Sequence, residues 1–132
     1  MRQADYLNSL RNELQQLVAH FSLKEHYAQA ALAQLHQRRR QEQENKDKLL
    51  LLINGLEKQI LDFECSGLLS YTELNELRRK QAIYRKQILD VRALADESSL
   101  QLVQISDAID KSNKEIHSLK KKIIKFEQYG EQ

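Results

Sequence analysis

Four histidines, at positions 20, 26, 36 and 117, and a lone Cys65 are the side chains of this 132-residue sequence best suited to metal binding or nucleophilic chemistry. A metal needs its ligands closely spaced along the chain or gathered by the fold. His20 and His117 can approach each other only if the chain doubles back, and solvated histidines are the reading that their scatter favours. A reactive thiol needs an activating partner and a cleft, and neither stands beside Cys65 in the sequence, so Cys65 reads as a small, semi-buried residue. There is no glycine-rich phosphate loop, no Cys-x-x-Cys pair and no His-Glu-x-x-His. The expectation is a protein that is not an enzyme and carries no metal or other cofactor.

Positive charge is the more informative chemistry. Three groups stand out: Arg38-Arg39-Arg40, then Arg78-Arg79-Lys80 with Arg85-Lys86, then Lys120-Lys121-Lys122 with Lys125. The 21 basic and 19 acidic residues leave a net charge of +2, so an electrostatic partner must be met by local patches. Lysines near the end of a helix also suit its dipole, which gives the third group a structural explanation. The second group falls near the start of a helix, where the dipole disfavours cations, and so points to a partner. Arg78, Tyr84 and Arg85 lie on or beside one helical face, and exposed Tyr and Arg are common anchors of interfaces. Gln81 and Tyr84 place polar groups at seam positions, where they can instead fix pairing register.

The elements that must carry these residues are two long helices. With 30% charged residues, 6% aromatics, no Pro and only three Gly, the chain suits a coiled coil, in which each helix buries one narrow stripe. From Leu74, steps of three and four reach Leu77, Gln81, Tyr84, Ile88 and onward to Ile123 and Phe126. Thirteen of those sixteen positions are apolar, a register that disorder has no reason to keep. In the first half, spacing of seven links Leu7, Leu14, Phe21, Ala28, Leu35, Glu42, Leu49, Leu56 and Phe63, with Glu42 the polar exception. The companion row wanders through Leu10, Leu17, Leu32, Ile53 and Ile60, which predicts a local change of winding near residues 24–32. A polar belt from His36 to Lys48 continues the helix with good helix formers. The seam should be loosest there.

The break lies between the halves. Gly67 suits the left-handed residue that ends a helix. Ser70 and Glu73 form a capping box for the next helix, and Leu69 with Leu74 a hydrophobic staple. The fold expected is all-α: a long antiparallel two-helix coiled-coil hairpin, one domain over residues 1–132, with helix one at about 4–65, a turn at 66–70 and helix two at about 70–128. Folded at Gly67, equal arms of roughly 90 Å place Leu7 near Phe126 and Phe63 near Tyr71 or Leu74. Gly55 is read as a glycine tolerated inside helix one. Residues 1–5 lead into a polar periodic segment rather than a signal peptide. The longest apolar run, Leu49 to Ile53, is far short of a membrane span. These features and the single cysteine indicate a cytoplasmic protein.

The run Leu69-Ser70-x-x-Glu73-Leu74, followed by Arg79-Lys80-Gln81-Ala82-Ile83-Tyr84-Arg85-Lys86-Gln87-Ile88-x-Asp90-Val91, resembles the central region of type III secretion stalk proteins. This is the YscO/FliJ-type family, and the likeness is closest to members from invasion-associated injectisomes. The resemblance implies a bacterial cytoplasmic stalk at the inner-membrane secretion apparatus, with a hexameric secretion ATPase, an export gate protein and secretion chaperones as partners. It places the gate-facing role on Arg79, Lys80, Gln81, Tyr84 and Arg85, beside Arg78. The ATPase-facing role falls by position on Lys120, Lys121, Lys122 and Lys125. A monomer is expected rather than a homodimer. Two other readings stay open: a coiled-coil adaptor or homodimeric structural protein, and a nucleic-acid-binding arm built on Arg78 to Lys86, which balanced overall charge disfavours.

Overall fold

The computed structural model describes residues 2–64 and 70–131. Two helices account for them, α1 (Arg2–Glu64) and α2 (Tyr71–Glu131), and they pack against each other as a helical hairpin. Gly67, the Leu69 half of the staple and Cys65 lie outside the described residues. Helix α2 runs past the expected end near 128 and includes Gly130. The contacts divide into two compact units, residues 1–38 with 105–132 and residues 39–104.

The start of α2 follows from local chemistry. Ser70 is its N-cap: the Glu73 amide donates to Ser70 Oγ at 3.2 Å, and the Ser70 amide donates back to Glu73 Oε2 at 3.4 Å. The Ser70 carbonyl accepts the first helical bond, from the Leu74 amide at 2.9 Å. This reciprocal capping box satisfies two amides that a bare helix end would leave unpaired.

All sixteen seam positions expected in α2 are buried or half-buried. In the unit of residues 39–104, Ile53, Leu56 and Ile88 form the core, with Ile60, Tyr84 and Val91 packed against it. In the other unit, Ile105, Ile109, Ile116 and Leu119 are buried from α2, and Phe21 stacks on Phe126 with ring centroids 5.6 Å apart. Among the described residues no large side chain is fully enclosed, as expected where two helices have no third layer above them.

Two expectations are corrected in α1. The winding does not change near residues 24–32. In the first unit Leu14, Val18, Phe21, Glu25, Ala28, Leu32 and Leu35 face inward, and in the second Glu42, Lys46, Leu49, Ile53, Leu56, Ile60 and Phe63 do. Both follow steps of four and three. The companion row therefore holds Val18, Glu25 and Lys46, whereas Leu10 and Leu17 flank it at 40% and 38% exposure. A long charged side chain can occupy such a row because its stem packs while its head reaches water at the open edge.

Pairing register is the second correction. Phe63 stacks on Tyr84, ten residues beyond Leu74, and Phe126 meets Phe21 rather than Leu7. The observed register is thus offset from arithmetic centred on Gly67, with Phe63 meeting a residue 13 positions beyond Tyr71. The polar belt is also not a gap. Ala95 and Ser98, the small seam residues of α2 in the unit of residues 39–104, are among the most buried residues, at 5% and 3% exposure.

Gly55 is exposed within α1, and a Cβ built there meets nothing within 4 Å. Gly55→Ala is expected to stabilise the protein by ~1 kcal/mol, seen as a higher midpoint in a thermal melt followed by circular dichroism. Ser70→Ala should cost ~1 kcal/mol of local stability, read as faster amide hydrogen exchange over residues 71–75 with exchange near Ile88 unchanged.

Candidate partner-binding surfaces

In the unit of residues 39–104, Arg78, Arg79, Lys80 and Arg85 are exposed, while Gln81 and Tyr84 are half-buried on the seam side. The candidate gate-facing residues therefore separate into two groups. Tyr84 stacks on Phe63 at 5.5 Å between centroids and belongs to the core around Ile88. The four cations project from the helix around it. Arg78, Arg85 and Arg92 recur every seven residues and so share one edge of α2. Arg92 meets Glu57 at 2.7 Å across the helices, a pair about half exposed on both sides and worth little to stability.

Helix α2 begins at Tyr71, so Arg78 lies two turns inside it. The dipole fades within the first turn, and the basic run is thus not placed against it. Its case as a surface rests on exposed charge alone.

In the other unit, the four candidate lysines have different surroundings. Lys120 Nζ stands 3.8 Å from Glu25, and Lys122 Nζ sits 5.4 Å from the centre of the Phe21 ring, a cation–π distance. Lys121 and Lys125 are exposed and line an open depression of about 380 Å³ with Lys114, His117, Ser118 and Lys122. Part of this group serves the fold, and Lys121 and Lys125 present their charge outward.

His20 lies beside Phe21, which pairs with Phe126, so the register does not bring His20 to His117. Among the described residues no group of three or more His, Cys, Asp or Glu could hold a metal. No described helix is long and apolar enough to cross a membrane.

The sequence reading missed a polar node inside the seam. Ser98 donates its hydroxyl hydrogen to Glu42 Oε1 at 2.5 Å and accepts from Asn45 Nδ2 at 3.1 Å. The hydroxyl is thereby used as both donor and acceptor. In the sequence Glu42 is the polar exception of its row, and Ser98 is one of the three polar positions in the α2 seam. The signal that identifies them as partners is their shared depth in the seam, legible only once the register is known.

Paired seam aromatics on two long helices define the class of protein as a coiled-coil helical hairpin. Comparison with known families then specifies it. Residues 12–132 match the family described as Salmonella surface presentation of antigen gene type M protein. The chain belongs to that family, a type III secretion stalk-type protein with a role in type III secretion. Comparison with curated proteins and with solved structures returns no match.

The division at the basic run has a direct test. Tyr84→Ala should cost about 2–3 kcal/mol in denaturant unfolding, the range of a truncated, partly buried aromatic. Arg79→Glu should shift stability by less than about 0.5 kcal/mol.

Proposed function

We propose that the protein is a non-enzymatic stalk that links the hexameric secretion ATPase to the export gate and assists chaperone and substrate handling. It works in the bacterial cytoplasm, as a monomer, at the inner-membrane apparatus, and serves the delivery of virulence proteins. The observation that carries this reading is the family match over residues 12–132 on a helical hairpin. The two basic patches support a division of labour. Lys121 and Lys125, with Lys120 and Lys122 beside them, offer the ATPase a positive surface. Arg78, Arg79, Lys80 and Arg85 offer one to the gate, with Gln81 and Tyr84 holding the helix beneath.

Electrostatic docking of this kind acts within a Debye length of about 8 Å at physiological salt. It therefore favours acidic partner surfaces that come into contact and weakens as salt rises. The protein should raise the turnover of its cognate hexameric ATPase. Lys121→Glu with Lys125→Glu should abolish that stimulation, and Arg79→Glu with Arg85→Glu should spare it while weakening gate binding, all with unchanged helicity. Absence of both stimulation and ATPase binding at low salt would refute the reading.

A further inference from the structure

A heptad seam has a built-in ambiguity. If one helix slides by seven residues, about 10 Å along its axis, most apolar positions meet apolar positions again. In the unit of residues 39–104 such a slide would exchange Tyr84 for Leu77 opposite Phe63, and Arg92 for Arg85 opposite Glu57. It would also set Glu42 against Val91, one heptad from Ser98. The observed pairing is the other one: Ser98 takes Glu42 and Asn45 as partners, and Glu57 takes Arg92.

We propose that the Glu42–Ser98–Asn45 node is the register key of the hairpin, selecting the observed pairing over one displaced by a heptad. The apolar contacts oppose the slide only in part: most seam positions exchange one apolar residue for another, while Gln81, Ser98 and Ser112 move into the places of Ile88, Ile105 and Leu119. The node adds to this discrimination. Ser98 is 3% exposed, and when Glu42 and Asn45 leave, its hydroxyl keeps only the carbonyl one turn back in its own helix, the kind of acceptor that Ser99 finds on Ala95. Glu42 is half-buried, and against Val91 its carboxylate would lose the Ser98 donor and turn to water at the seam edge. A hydrogen bond given up costs most on the side that stays buried, here Ser98. Single polar residues at seam positions fix register in coiled coils by this logic, at some expense in stability. Ion pairing does not replace the node, since Arg85 would serve Glu57 as well as Arg92 does. The proposal is independent of the partner assignments above.

Disulfide trapping reads the register directly. In the full chain carrying Cys65→Ser, Glu57→Cys with Arg92→Cys reports the observed pairing, and Glu57→Cys with Arg85→Cys reports the displaced one. With the node intact, the first pair should cross-link at least tenfold more completely than the second under a glutathione redox buffer. Adding Glu42→Leu with Ser98→Ala should lower that ratio tenfold or more, while helicity is kept and the melting midpoint does not fall. Ser98→Ala alone, the mildest change, should lower it severalfold and covers the case in which the double variant does not fold. Glu42→Gln, which still accepts from Ser98, should keep the original ratio. An unchanged ratio in Ser98→Ala and in the folded double variant would overturn the proposal, as would collapse of the ratio in Glu42→Gln.

Discussion

Two helices can cover only one face of each other, and that limit shapes the rest of the molecule. Each helix commits a narrow row of side chains to the seam and leaves the remainder to solvent. The row is deep enough for Ile53, Ile88, Ile109 and Ile116 to be buried, yet no large side chain among the described residues is fully enclosed. It is also open enough at its edges for Glu25 and Lys46 to occupy inward positions. A globular core would exclude such residues unless they were paired. Here Glu25 is paired with Lys120 across the helices, and both Glu25 and Lys46 are only half-buried.

The same limit separates structural from available charge. Arg92 and Lys120 reach across to Glu57 and Glu25, and Lys122 lies over Phe21. Arg78, Arg79, Lys80, Arg85, Lys121 and Lys125 lie outside such pairings and face solvent. In the group from Lys120 to Lys125 the division falls between neighbours: Lys120 and Lys122 are engaged at the seam, and Lys121 between them is not.

Much of this was legible from residue spacing, and the failures share one cause. The α2 seam could be read position by position because Ile, Leu and Val recur there in strict register. The Ser70–Glu73 capping box could be read because four residues decide it locally. In α1, Leu10 and Leu17 attracted attention that belonged to Val18 and Glu25, since hydrophobicity alone does not say which of two adjacent rows a partner covers. The pairing of Phe63 with Tyr84 was not legible for a related reason: a periodic pattern matches itself at every heptad. Exposed basic runs were read correctly as exposed, but Tyr84, placed among candidate contact residues, is committed to Phe63. Periodicity reports which face is inside, whereas register depends on the few residues that break periodicity.

Chain separation across the seam also carries a kinetic meaning. Glu57 and Arg92 lie 35 residues apart in sequence, Glu42 and Ser98 lie 56 apart, and Phe21 and Phe126 lie 105 apart. Closing a loop costs entropy that grows with the logarithm of its length, about 1 kcal/mol more for the last pair than for the first. Loop entropy thus makes the Glu57–Arg92 contact cheaper to nucleate than the Phe21–Phe126 contact, so chain connectivity favours the unit that carries Arg78 to Arg85 over the one that carries Lys120 to Lys125 as the place where pairing begins.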